Sequence, residues 1–136
     1  MLEEFLKPGN DLRTLTRAVL PKPEQIRKVY AEPLASKMIA MYSAALTPDV
    51  VIAPKQGQTE LLMVYTTTKA LRDGAPVLGK FPGGYKEVTR YFAIDVPIVR
   101  FKFVRPGETL GMAYDGMVFV DGRWMWMPKP WRALDN

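Results

Sequence analysis

The sequence predicts a single α+β domain over residues 1–136, in which N-terminal helices pack on a curved antiparallel sheet with a cone-like, barrel-forming shape. Two patterns carry this prediction. Apolar residues recur at helical spacing through residues 12–45, whereas the last third of the chain alternates apolar and polar residues around two tight turns. With 48% hydrophobic and 24% charged residues, the chain can bury a core and is not of the disordered class.

The helical part of the sequence lies at its N-terminal end. Residues 1–10 are expected to form a loose arm. Asp11 is placed to cap a helix over residues 12–20, because an Asp side chain can accept the free backbone N–H groups of a first turn. A longer helix is expected over residues 23–45, and Pro33 inside it predicts a kink or a break into two helices.

The period changes after residue 48. Residues 50–53 and 59–67 are rich in β-branched and apolar side chains and predict two strands. Thr68 is placed to cap a short helical turn. A loop rich in Gly and Pro follows over residues 74–84, and residues 85–92 fit a short helix better than a strand.

A three-stranded meander is predicted at the C-terminal end, over residues 97–104, 109–120 and 123–128. Arg105-Pro106-Gly107-Glu108 has Pro and Gly where a type II turn needs them. Asp121-Gly122 is typical of the two-residue type I′ turn of a hairpin.

These turns set the faces of the meander, with residue 104 opposite 109 and residue 120 opposite 123. One face is then wholly apolar and is expected to face helices: Val99, Phe101, Phe103, Leu110, Met112, Tyr114, Val118, Met125 and Met127. The other face is mixed: Ile98, Arg100, Lys102, Ala113, Asp115, Met117, Phe119, Trp124 and Trp126.

The large apolar side chains of the mixed face need a cover, since each contributes about 1.5–3 kcal/mol when buried. The cover is a second subunit, the remaining elements of the chain, or a ligand. The second subunit is preferred, because aromatic residues, Met and Arg are enriched in interface cores. A homodimer interface is therefore predicted, through Arg100, Met117, Phe119, Trp124 and Trp126.

Composition narrows the possible chemistry. The chain has no His and no Cys, which removes the usual general base, the thiolate nucleophile and the commonest metal ligand, so no metal site and no cofactor are predicted. The net charge of +5 is scattered along the chain and does not favour a nucleic-acid footprint. No apolar run is long enough to span a bilayer and the acidic N-terminus does not match a secretory signal, so a cytoplasmic protein is expected.

The order of these elements resembles that of the nuclear transport factor two-like superfamily, which includes SnoaL-like cyclases. The stretches Phe-Pro-Gly-Gly-Tyr (81–85), Lys-Phe-Val-Arg-Pro-Gly-Glu-Thr-Leu-Gly-Met-Ala-Tyr-Asp-Gly (102–116) and Asp-Gly-Arg-Trp-Met-Trp-Met-Pro-Lys-Pro-Trp-Arg (121–132) are similar to those of a bacterial group without an established activity. The resemblance implies a cone with a pocket at its open end, dimerisation through the outer sheet face, and an Asp or an Asp–His pair as the usual acid–base group, of which this chain has no His.

The sequence offers few candidates for that pocket. Its lining is predicted to include Tyr30, Tyr42, Tyr65, Phe101, Met112 and Tyr114. Asp115 and Tyr114 are the candidates for acid–base work, although the predicted register points Asp115 outward, where an ordinary ion pair with Arg100 is the simpler interpretation. The predicted function is binding of a small hydrophobic molecule or a protein; the alternative is a histidine-free lyase or isomerase that uses an Asp or a Tyr.

Overall fold

The computed structural model describes residues 1–135 and has the α+β architecture that the sequence predicts. Its helices and strands, in chain order, are α1 (Leu12–Ala18), α2 (Pro23–Val29), α3 (Leu34–Ala45), β1 (Glu60–Thr67), α4 (Thr68–Arg72), α5 (Tyr85–Val88), β2 (Pro97–Val104), β3 (Gly111–Val120) and β4 (Arg123–Trp126). Short 3-10 helices add Leu2–Leu6, Pro76–Lys80, Thr89–Tyr91 and Pro130–Asp135.

Local signals account for most helix boundaries. The Asp11 carboxylate accepts two backbone N–H groups of the first turn of α1, at 3.0 and 3.3 Å. The predicted break at Pro33 is confirmed, since α2 and α3 are separate helices on either side of it. Helix α4 is capped by Thr67, one residue before the predicted cap; the hydroxyl of Thr68 instead bridges to the backbone of Ile94 and Val96.

The four strands form one antiparallel meander in the order β1-β2-β3-β4. The sheet is open, with β1 and β4 at its edges, so the strand order does not show the cone-like barrel of the prediction. Residues 50–53, predicted as a strand, belong to none of the four strands. Their backbone groups are bound by side chains instead: the Ile52 N–H donates to the Thr16 hydroxyl at 2.9 Å, and the Ala53 N–H donates to the Tyr114 hydroxyl at 3.1 Å.

The register between β2 and β3 differs from the predicted one in two ways. Val104 pairs with Gly111, so the turn is two residues longer than expected and Phe101 lies opposite Tyr114. Further along, Val99 pairs with Met117, which leaves two residues of β3, Asp115 and Gly116, opposite one residue of β2. Such an extra residue is a β-bulge.

The bulge depends on Gly116, whose φ of +81° is strained for any residue with a Cβ. A Cβ built there would lie 2.1 Å from the carbonyl oxygen of Met127. The extra residue exchanges the two faces of β3 from this point on, so the predicted faces are wrong beyond Asp115. Met117 and its β4 partner Trp126 share the face of Phe101.

Both faces of the sheet are nonetheless covered. Helices α2 to α5 pack on the face that carries Ile98, Val118 and Met125. The face that carries Trp126 is covered by the chain's own N-terminal residues, with Leu2 and Phe5 buried against it.

This burial corrects two predictions. Residues 1–10 are not a loose arm, because residues 2–6 form a packed 3-10 helix whose Phe5 ring lies 6.4 Å from that of Phe103. The cover of Met117 and Trp126 is the chain itself, not a second subunit. The two tryptophans of β4 still lie on one face of the sheet and Met125 on the other, as the alternation in the sequence predicts.

Candidate functional site

A cavity lies beside the part of β3 that β4 does not reach. Strand β4 ends at Trp126, and the following Pro128 and Pro130 have no N–H to continue a ladder. Residues 112–115 of β3 therefore lack a partner strand on that side. The end of α3, residues 50–51 and residues 128–132 enclose the gap, which has a volume of about 340 Å³.

The wall of the cavity is mainly apolar. Met41 and Leu46 line it from the end of α3, Val50 from the following loop, and Met112 and Trp126 from the sheet. These side chains come from three separate segments of the chain. An apolar cavity with a few converging polar groups is the usual form of a small-molecule site.

Asp115 is the buried polar group of this wall. Only 5% of the residue is exposed. Its Oδ2 accepts the Tyr85 hydroxyl at 2.6 Å and the backbone N–H of Lys129 at 2.9 Å. Burial raises the pKa of the Asp115 carboxyl, and those two hydrogen bonds and the Lys129 charge offset the rise in part.

Three buried tyrosines stand behind Asp115. Tyr85 donates to the carboxylate, and Tyr42 donates to the carbonyl oxygen of Pro128 at 2.6 Å. The Tyr30 hydroxyl is buried without a hydrogen-bond partner among residues 1–135. Burial raises the pKa of all three phenols, and the nearby Asp115 charge adds to the rise, so the tyrosines are neutral and act only as donors or acceptors.

Two cations line the same cavity from the C-terminal segment. Lys129 and Arg132 are both exposed and both lie on its wall. Within residues 1–135, neither has a carboxylate within 4.0 Å. Lys129 adopts a φ of +50° and donates its backbone N–H to Asp115, which links the cationic side of the site to the buried carboxylate.

The structure brings together part of the predicted pocket. Tyr42, Met112 and Tyr114 line the cavity with Asp115. Tyr30 is in the core behind it, and Phe101 is buried under the N-terminal segment. Tyr65 is 60% exposed on the edge strand β1 and lines a different hollow.

The two predicted acid–base candidates have different surroundings. The Tyr114 hydroxyl is occupied, because it donates to the Ala53 carbonyl oxygen and accepts the Ala53 N–H, both at 3.1 Å. Asp115 lines the cavity and does not point away from it as the predicted register implied. The alternative ion pair is not formed within 4.0 Å in the described part of the chain; Arg100 donates to the Lys80 carbonyl oxygen.

The predicted dimer surface is much reduced. Met117 and Trp126 are buried within the chain, so they are closed to a partner in this fold. Phe119 is 37% exposed, and its ring packs edge-on against the half-buried Trp124 at 5.3 Å. The homodimer itself stays a prediction.

Several groups of the site were not predicted from the sequence. Tyr85 was expected only as the start of a helix, and Lys129 and Arg132 only as part of the positive charge scattered along the chain. One signal does point to the correct geometry: an isolated glycine inside an alternating strand, here Gly116, often marks a bulge. A bulge at that position moves Met117 and its partner Trp126 to the face of Phe101.

Comparison of the chain with protein-family models, with curated proteins and with solved structures gave no match in any of the three. Membership of the nuclear transport factor two-like superfamily therefore stays a prediction. No helix within residues 1–135 is long and apolar enough to cross a membrane.

Proposed function

We propose that this chain binds a small, predominantly apolar molecule in the cavity between the end of α3 and β3. The observation that supports the proposal most is the cavity itself: about 340 Å³ of space is open beside the apolar side chains of Met41, Leu46 and Met112. That volume is at the lower end of the range of small-molecule sites. Apolar side chains left uncovered in this way favour an apolar ligand, because its burial removes both surfaces from water.

Octan-1-ol is a suitable probe, since an eight-carbon chain offers about 0.8 kcal/mol for each buried methylene group. After the entropy lost on association, a dissociation constant on the order of 0.1–1 mM is expected. Isothermal titration calorimetry would measure it.

The site of binding can be tested with a matched pair of variants on α3. Ala45 lines the cavity, whereas the neighbouring Ala44 is exposed outside it. Ala45→Phe should fill the cavity and abolish octan-1-ol binding, and Ala44→Phe should leave the affinity unchanged. Equal binding by both variants would place the ligand elsewhere and contradict the proposal.

A second candidate function is proton transfer by Asp115, the lyase or isomerase alternative of the sequence prediction. Two observations favour it: the carboxylate lies on the cavity wall, and its burial raises its pKa, which makes it a better base once ionised. A generic probe is 5-nitrobenzisoxazole, whose ring opens when a base removes one carbon-bound proton.

The rate of this ring opening should rise with pH through the pKa of Asp115 and then reach a plateau. Asp115→Asn should remove the catalysed rate while octan-1-ol still binds. A variant that keeps the wild-type rate would exclude Asp115 as the base and leave the binding function standing.

A further inference from the structure

We propose that the molecule bound in this cavity carries a carboxylate, which Lys129 and Arg132 hold while its apolar part lies against α3. This inference rests on the proposed function and adds the chemical class of the ligand. The cavity then selects amphipathic monocarboxylic acids over neutral or cationic molecules of the same size.

The charges of the cavity wall carry the argument. Lys129 and Arg132 both line the cavity, and within the described residues no carboxylate oxygen lies within 4.0 Å of the charged nitrogens of either of them. Some surface cations of this protein are paired, as in Lys69 with Asp73 at 3.1 Å, and unpaired ones elsewhere in the described residues, such as Arg17, do not line this cavity. Two unpaired cations beside an apolar cavity are complementary to an anionic head group on an apolar body.

The one acidic side chain of the wall does not cancel this preference. Asp115 is buried, and its Oδ2 already accepts two hydrogen bonds. An ammonium head group that approached it would meet both Lys129 and Arg132 on the same wall. A neutral head group would form no ion pair with either cation and would gain nothing from their charge.

The geometry of the C-terminal segment suits a carboxylate in particular. Arg132 lies in the 3-10 helix Pro130–Asp135, so it is three residues beyond Lys129 and about one turn along. A guanidinium group presents a planar pair of donors that matches both oxygens of a carboxylate. The backbone of Lys129 is held by its hydrogen bond to Asp115, which keeps its side chain beside the cavity.

Three probes with one tail test the inference by calorimetry: octanoate, octan-1-ol and octylammonium. The wild-type chain should bind octanoate about fivefold to tenfold more tightly than octan-1-ol, because each exposed ion pair contributes about 0.2–1 kcal/mol. It should bind octylammonium more weakly than either. The octanoate preference should shrink as the salt concentration rises, since exposed charges are screened.

The double variant Lys129→Gln/Arg132→Gln should lose this preference and keep the octan-1-ol affinity within twofold. The matched control is Arg17→Gln/Lys86→Gln, which removes one Arg and one Lys charge from exposed positions outside the cavity. It should keep the full preference. Arg132→Gln alone, which leaves the strained backbone of Lys129 untouched, should lose about threefold.

The outcomes separate the two proposals. If octan-1-ol and octanoate bind the wild-type chain equally, or if the double variant keeps its octanoate preference, the carboxylate inference is wrong while the apolar site stands. If neither probe binds the wild-type chain, both proposals are wrong.

Discussion

The substitution Gly116→Ala tests the bulge that places Met117 and Trp126 on the same face of the sheet as Phe101. Gly116 has a φ of +81°, which costs an L-residue about 1–2 kcal/mol. The added Cβ would lie 2.1 Å from the Met127 carbonyl oxygen and 3.1 Å from the Cα of Pro128. Both are backbone atoms, so no side-chain rotation relieves the contact.

The backbone must therefore move, and the 2.7 Å hydrogen bond from the Met127 N–H to the Gly116 carbonyl would be lost with it. That bond contributes about 1 kcal/mol. This loss and the cost of the positive φ together should lower the free energy of unfolding by about 3 kcal/mol, without counting any repacking of the buried Met127.

Gly107→Ala is the matched control, because Gly107 has nearly the same φ, +78°, but a Cβ there would meet nothing within 4 Å. It should cost only the conformational term of about 1–2 kcal/mol. Urea unfolding followed by tryptophan fluorescence would give both values. Equal losses for the two variants would refute the crowding at the bulge.

Three further substitutions test other parts of the structure by the same unfolding assay. Burial raises the pKa of Asp115 in the folded protein above its value in the unfolded chain. The stability that the protonated carboxyl contributes is therefore present at low pH and is lost as the pH rises through the folded-state pKa. Asp115→Asn should become more stable relative to the wild type as the pH rises through this range, and a difference that stays constant with pH would contradict this. Tyr30→Phe removes a buried hydroxyl that has no partner among the described residues, and should raise the stability by about 1 kcal/mol; a loss of that size would mean that the hydroxyl is satisfied. Phe5→Ala should lose about 3 kcal/mol if the N-terminal helix is packed as described, and close to nothing if the segment is a free arm.

Features set by neighbouring residues were predictable from the sequence. Asp11 caps α1 because its carboxylate and the backbone N–H donors lie within one turn. Pro33 separates α2 from α3 because of its own backbone geometry, whatever the two helices pack against. Asp121 and Gly122 both have positive φ, at 57° and 75°, as the type I′ turn requires. In each case the deciding interaction is local.

Features set by distant residues were not predictable in this way. The bulge at Gly116 depends on how β2 lies against β3, and the cover of Trp126 comes from residues more than a hundred positions earlier. Residues 50–53 have a strand-like composition. Their backbone groups form hydrogen bonds with the hydroxyls of Thr16 and Tyr114, however, and not with a neighbouring strand. The cavity depends on the short β4, whose end Pro128 and Pro130 predict, and on the end of α3, which lines the space beside β3.

The most direct test of the apolar site is a titration with octan-1-ol observed through the methionine methyl groups by NMR. Met41 and Met112 line the cavity, whereas Met1 and Met63 line a separate hollow beside the 3-10 helix Leu2–Leu6. We expect the methyl signals of Met41 and Met112 to shift in a saturable way, with those of Met1 and Met63 unchanged. Saturable shifts confined to Met1 and Met63, or no shift of Met41 and Met112 up to the solubility limit, would contradict the account.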